Sequence, residues 1–163
     1  MSARGTAAAS DLQIWVDPDG SAYLQNTTGG PISFDGYQIA SETNRLDPVG
    51  WKSIADYVAG GEIAEVIAAL GPGGLTFGEA NPGPGNLAEL NLGGAGTLLG
   101  GAKFYIGKPF LDGQRGTVGA DGFFYKLGGS SQFGDIVPEP STFVLAALAG
   151  AGLLGVRAMR YRR

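Results

Sequence analysis

Cysteine and histidine are both absent from the 163-residue chain. The first absence excludes disulfides, thiolate zinc sites and thiol nucleophiles. The second removes the commonest general base and the commonest transition-metal ligand. No metal and no cofactor are expected, and the chain reads as a non-enzyme. Basic residues are scarce over most of its length. Four of the 11 lysines and arginines fall in the last seven positions, at Arg157, Arg160, Arg162 and Arg163, while all 15 acids lie at or before Glu139. Residues 1–140 therefore hold seven basic and fifteen acidic groups, a net charge of −8. Such a body repels nucleic acid, which is not an expected partner.

Glycine (30) and proline (9) make up about a quarter of the chain, a level that approaches low-complexity composition. The apolar share of 44% and the aromatic share of 10% are too high for a disordered chain. Together they predict a turn-rich fold with one packed core.

The C-terminus reads VPEPSTFVLAALAGAGLLGVRAMRYRR. Val137, Pro138, Glu139 and Pro140 are stiff and extended, since each proline fixes its own φ and restricts the residue before it. Phe143 to Val156 is an uncharged apolar run, extended by Ser141 and Thr142 on one side and by Ala158 and Met159 on the other if Arg157 snorkels. Seventeen helical residues reach about 26 Å, the short limit of a bilayer span. The arginine cluster then places the end in the cytoplasm. A buried core helix is the alternative for so short a run, but it leaves the prolines and arginines unexplained.

This tripartite tail resembles the PEP-CTERM sorting signal of Gram-negative bacteria that make extracellular polysaccharide. Val137, Pro138, Glu139 and Pro140 match its VPEP motif residue by residue. The resemblance implies an exported precursor, anchored in the inner membrane and then processed near the motif by an exosortase, a multi-pass membrane transpeptidase. The destination implied is the cell surface or extracellular matrix, with membrane and exosortase as partners. It covers residues 137–163 and specifies an address, not an activity. At the other end, Ala7-Ala8-Ala9-Ser10 reads either as the remnant of a secretory signal or as a short disordered arm.

Residues 11–136 read as one all-β domain, a β-sandwich of Ig-like or jelly-roll-like type with a short helical insertion. Strands are predicted at 12–16, 21–26, 31–41 with a bulge at Gly36, 51–57, 75–79, 87–92, 97–101, 102–107, 123–127 and 132–137. Ile63, Val66, Ile67 and Leu70 recur at helical spacing over 62–70, and Gly71-Pro72 ends that helix. The runs LQNTTGGPISFDGYQIASETNRLDPVGWKSIAD (24–56), GEANPGPGNLAELNLGG (78–94) and KFYIGKPF (103–110) resemble a recurrent module of planctomycete-type secreted proteins. They are also similar to the Ig-like sandwich of lamin-tail domains. That module has no assigned catalysis, and 58–74 departs from its pattern.

Candidate chemistry is sparse. Asp17-Pro18-Asp19-Gly20 pairs two carboxylates but lacks the rest of a calcium loop, so it reads as a hairpin turn. Glu79 and Glu89 flank a proline- and glycine-rich loop, and Asp35, Asp47 and Asp56 lie in or near the module-like stretch 24–56; a glycosidase needs two carboxylates across a cleft, whereas surface acids are the plainer reading. Trp15, Tyr23, Tyr37, Trp51, Tyr57, Tyr105 and Tyr125 offer either core packing or a platform for sugar rings, with Trp51 the ring expected to be partly exposed. The glycine-rich stretches 70–75 and 90–101 lack the Gly-Lys-Ser/Thr of a phosphate loop. Three functions stay open: a binding or structural module at the cell surface that engages polysaccharide or surface proteins, a small polysaccharide hydrolase, and a self-assembling layer subunit built through free sheet edges.

Overall fold

In a computed structural model, residues 10–111 and 121–138 are described. The first hairpin follows its sequence closely. Strands β1 (Leu12–Val16) and β2 (Ala22–Asn26) pair antiparallel from Leu12↔Asn26 to Val16↔Ala22. Asp17-Pro18-Asp19-Gly20 turns between them. Gly20 takes φ +88°, and Asp19 accepts from the Ser21 amide and hydroxyl at 3.0 and 2.9 Å. Glycine carries that left-handed φ without Cβ strain.

The stretch 31–41 was expected as one bulged strand and is instead two. Strand β3 (Ile32–Phe34) leaves to pair with β7 (Gly96–Leu98), while β4 (Gly36–Ser41) enters the main sheet. The break falls where backbones crowd. A Cβ on Gly36 would lie 2.8 Å from Leu90 Cδ2 and 2.9 Å from the Glu89 carbonyl oxygen.

Helix α1 (Ile54–Ala59) begins within residues 51–57, which were expected as a strand. Ser53 and Asp56 form a reciprocal capping box that favours helix locally. Helix α2 (Ile63–Leu70) stands where periodicity placed it, with Val66 and Leu70 buried. A 3-10 turn over 72–76 then leads to β5 (Phe77–Glu79) and β6 (Asn86–Asn91). Strands β8 (Lys103–Tyr105), β9 (Asp121–Leu127) and β10 (Ser130–Pro138) complete the described elements.

The all-β expectation holds, with the helical insertion. The main sheet has the order β5-β6-β4-β9-β10-β1-β2-β8. Its hinge is β10, whose first half pairs antiparallel with β9 (Ser130↔Leu127 to Gly134↔Phe123) and whose second half pairs parallel with β1 (Gln13↔Asp135 to Val16↔Pro138). A strand that changes partners folds a sheet over its own core. Buried side chains from both halves accordingly form one cluster, including Leu12, Ile14 and Leu24 with Ile39, Leu87 and Phe123.

The partner change occurs at Gly134, where a Cβ would collide with the Phe123 ring and the Leu12 carbonyl oxygen. Gly134→Val should therefore lower stability by about 1–3 kcal/mol through overpacking. Urea unfolding of the two proteins measures this. An unchanged midpoint would mean that the hinge is not close-packed.

Candidate functional sites beneath helix α1 and at the sheet end

Strand register decides the fate of the glutamate pair. Glu79 and Glu89 are Cα partners across β5 and β6, so both side chains stand on the same face. Helix α1 begins directly above them. The Ile54 and Ala55 amides donate to Glu89 Oε2 and Oε1, both at 2.9 Å. The Ser53 hydroxyl donates to Glu79 Oε1 at 2.8 Å, while the Asp56 amide donates to Ser53 Oγ and the Ser53 amide donates to Asp56 Oδ2. Tyr37, the Cα partner of Glu89 on β4, bonds its carboxylate, and Trp51 Nε1 donates to the Tyr37 hydroxyl at 3.1 Å.

Glu89 has 0% of its surface exposed. Burial pushes its carboxyl up to about 7, against the opposing pull of the Ile54 amide, the Tyr37 hydroxyl and the Ala55 amide. The Tyr37 hydroxyl is pushed well above its ordinary range, first by burial and then by the Glu89 charge. The two glutamates that sequence reading paired are thus neighbours, but not across a cleft. Both Glu89 oxygens accept helix amides that would otherwise be orphaned. This arrangement ties the insertion to the sheet and leaves no face of Glu89 for a sugar.

The other acids are also engaged locally. Asp47 Oδ1 accepts from the Val49 amide at 3.0 Å, and Asp35 Oδ2 accepts from the Gly129 amide at 2.7 Å. Among the described residues no group of three or more acids could hold a metal ion. Trp51, expected as the partly exposed ring, is only 3% exposed. Its bridge to Gly107 and its edge-on contact with Tyr37 draw it into the core. Tyr37, Tyr57 and Tyr125 are buried as well. Trp15, Tyr23 and Tyr105 remain half-buried in one cross-strand row over β1, β2 and β8, with Lys103 Nζ 4.4 Å from the Trp15 ring centroid. Ser53 and Tyr37 escaped the reading of the sequence as carboxylate partners. The S-x-x-D spacing of the capping box at 53–56 was the available signal for Ser53.

The second site is the start of the tail. Val137 and Pro138 are strand residues of β10, opposite Trp15 and Val16 of β1. Glu139, Pro140, the apolar run from Phe143 to Val156, and Arg157, Arg160, Arg162 and Arg163 lie outside the described residues. So do residues 1–9 of the N-terminal segment. Among the described residues no helix is long and apolar enough to cross a membrane.

Residues 137–163 match the family described as the PEP-CTERM protein-sorting motif. The match supports an exported precursor that is anchored in the membrane and processed there by an exosortase. No curated protein and no solved structure matches the chain, so the likeness to the planctomycete and lamin-tail modules gains no support.

The buried carboxyl sets a pH dependence. Its value near 7 in the folded chain lies above the ordinary 4.5, so the native state holds this proton more tightly than the unfolded state. The stability linked to it is full below about pH 4.5 and is lost as pH rises through about 7. The whole effect is about 3 kcal/mol. The thermal midpoint should fall between pH 5 and pH 8, and Glu89→Gln should flatten that fall. An equal fall in the variant would assign it to other groups.

Proposed function

We propose that this chain is an exported, non-enzymatic β-domain that its C-terminal signal delivers to the cell surface, where it serves as a binding or structural module. The observation that carries this reading is the continuity of β10 with the matched motif. Val137 and Pro138 belong to both the sheet and the sorting signal. Only four residues separate Pro138 from the apolar run at Phe143. Even fully extended, that stretch covers at most about 18 Å. Before processing, the domain is held against the membrane face where the tail is inserted. After processing beyond Pro138, it keeps its complete last strand.

Two features favour binding or structure over catalysis. The chain has neither histidine nor cysteine, and the Glu79–Glu89 pair is taken up by the start of helix α1, Glu89 by its amides and Glu79 by the Ser53 hydroxyl. A hydrolase remains the second reading only through that pair. Short edges weigh against assembly by strand addition, because β5 and β8, the outermost strands of the main sheet, have three residues each.

The test is the mass of the chain recovered from cells with and without an exosortase. Cells with the enzyme should yield a chain that ends beyond Pro138 and lacks the arginine cluster, found on envelopes or outside the cell. Cells without it should retain the full-length chain in the inner membrane. Full-length chain in both would refute the sorting reading. Separately, the full chain should turn over no member of a glycan library. Turnover abolished by Glu79→Gln with the fold intact would replace the non-enzymatic reading with the hydrolase.

A further inference from the structure

The outward face of the sheet half β6-β4-β9-β10 is indented. Register places Leu90, Gly36, Lys126 and Ser131 in one cross-strand row, and Ala88, Gln38, Phe124 and Phe133 in the next. Ala88 leaves a low point between bulkier neighbours, and the Leu90 side chain leans over Gly36. The result is a groove of about 270 Å³ whose lining includes Gln38, Asn86, Leu90, Phe124, Lys126 and Ser131.

We infer that this groove binds a saccharide unit bearing an anionic group. The inference rests on reading the domain as a surface binding module. Its chemistry is mixed in the way a sugar requires. Phe124, tilted at 57° against the exposed Phe133 with ring centroids 5.1 Å apart, and Leu90 offer apolar surface to the C–H face of a pyranose ring. Gln38 Nε2 donates to Asn86 Oδ1 at 2.7 Å, which fixes both amides and leaves the Gln38 carbonyl oxygen to accept from a hydroxyl. Ser131 adds a hydroxyl that donates and accepts.

Charge selects the anion. Lys126 is the single charged residue of the lining, on a body whose first 140 residues carry a net −8. Among the described residues Lys126 makes no salt bridge; Asp35, the acid beside it in the sheet, accepts the Gly129 amide with Oδ2, and its Oδ1 is buried rather than turned to the Lys126 ammonium. An ammonium in a partly enclosed groove forms a charge-assisted bond with a carboxylate.

Two other occupants fit less well. An extended peptide joins a sheet at a free edge, whereas this groove lies over interior strands that are paired on both sides. A second copy of the chain needs roughly 800 Å² of matched surface on each partner, far more than this groove presents. The volume falls just below the range of about 300–1,000 Å³ for sites that take larger ligands, which suits one sugar unit rather than a long chain.

The test uses the full chain in zwitterionic, sugar-free micelles, followed by amide NMR and calorimetry. Digalacturonate should shift the signals of Gln38, Asn86 and Lys126. α-1,4-Galactobiose, its neutral counterpart, should bind about tenfold more weakly, as expected for the loss of one charge-assisted bond. Lys126→Gln should weaken digalacturonate by about tenfold without changing galactobiose, and Lys126→Arg should restore most of the loss. Unshifted groove signals at millimolar digalacturonate would overturn the inference. So would undiminished binding by a folded Lys126→Gln, or equal binding of an acidic dipeptide. A chain that is still processed and sorted but binds neither sugar would sink the groove alone and leave the surface-module reading standing.

Discussion

Strand β10 is the constraint on which the rest of the structure depends. Among the described residues it is the only strand that joins the β5-β6-β4-β9 half of the main sheet to the β1-β2-β8 half. It does so by changing partner at Gly134, from antiparallel with β9 to parallel with β1. The tight contact of Gly134 with Phe123 and Leu12 lets the two halves close over shared side chains. Long-range pairing of this kind is costly in chain entropy, because β1 and β10 lie more than 120 residues apart. Ser10 fastens the same junction at its open end. Its amide donates to Asp135 Oδ2 at 3.1 Å, and its hydroxyl accepts from the Asp135 amide at 3.0 Å.

The buried Glu89 answers a different problem. A six-residue helix is too short to stand alone, since nucleation costs more than so few bonds return. Helix α1 persists because its amides find a carboxylate anchored on β6 and its first turn is closed by the Ser53–Asp56 box. Burying that carboxylate is unfavourable, as its raised proton affinity records. The interactions that offset the cost come from the helix itself and from Tyr37, whose hydroxyl is in turn held by Trp51. An arrangement that resembles a catalytic pair at the level of sequence is thus part of the attachment of an insertion to a sheet.

Much of this was legible from residues alone. Alternation marked β1, β2, β6 and β9 to within a residue or two, and the spacing of Val66 and Leu70 marked α2. The errors share a cause. At 31–41 and 51–57 the deciding influence was a partner distant in sequence. Leu90 and Glu89 crowd Gly36, and Glu89 captures the amides of Ile54 and Ala55. Composition could mark Trp51 as aromatic beside a loop, but only the bridge to Gly107 and the bond to Tyr37 make it core. The groove on the outer face was invisible for the same reason. Its rows are assembled from four strands that are not all consecutive, and no local pattern announces them.

The working domain and its address therefore overlap by two residues, Val137 and Pro138. The last two rungs of its parallel ladder hold the first two residues of the matched motif. Amide hydrogen exchange of the full chain tests this most directly. The account predicts that Ile136 and Val137 exchange as slowly as Ile14 and Trp15, their partners in the ladder. Exchange at Ile136 and Val137 as fast as in an unstructured peptide, with β1 still protected, would contradict it.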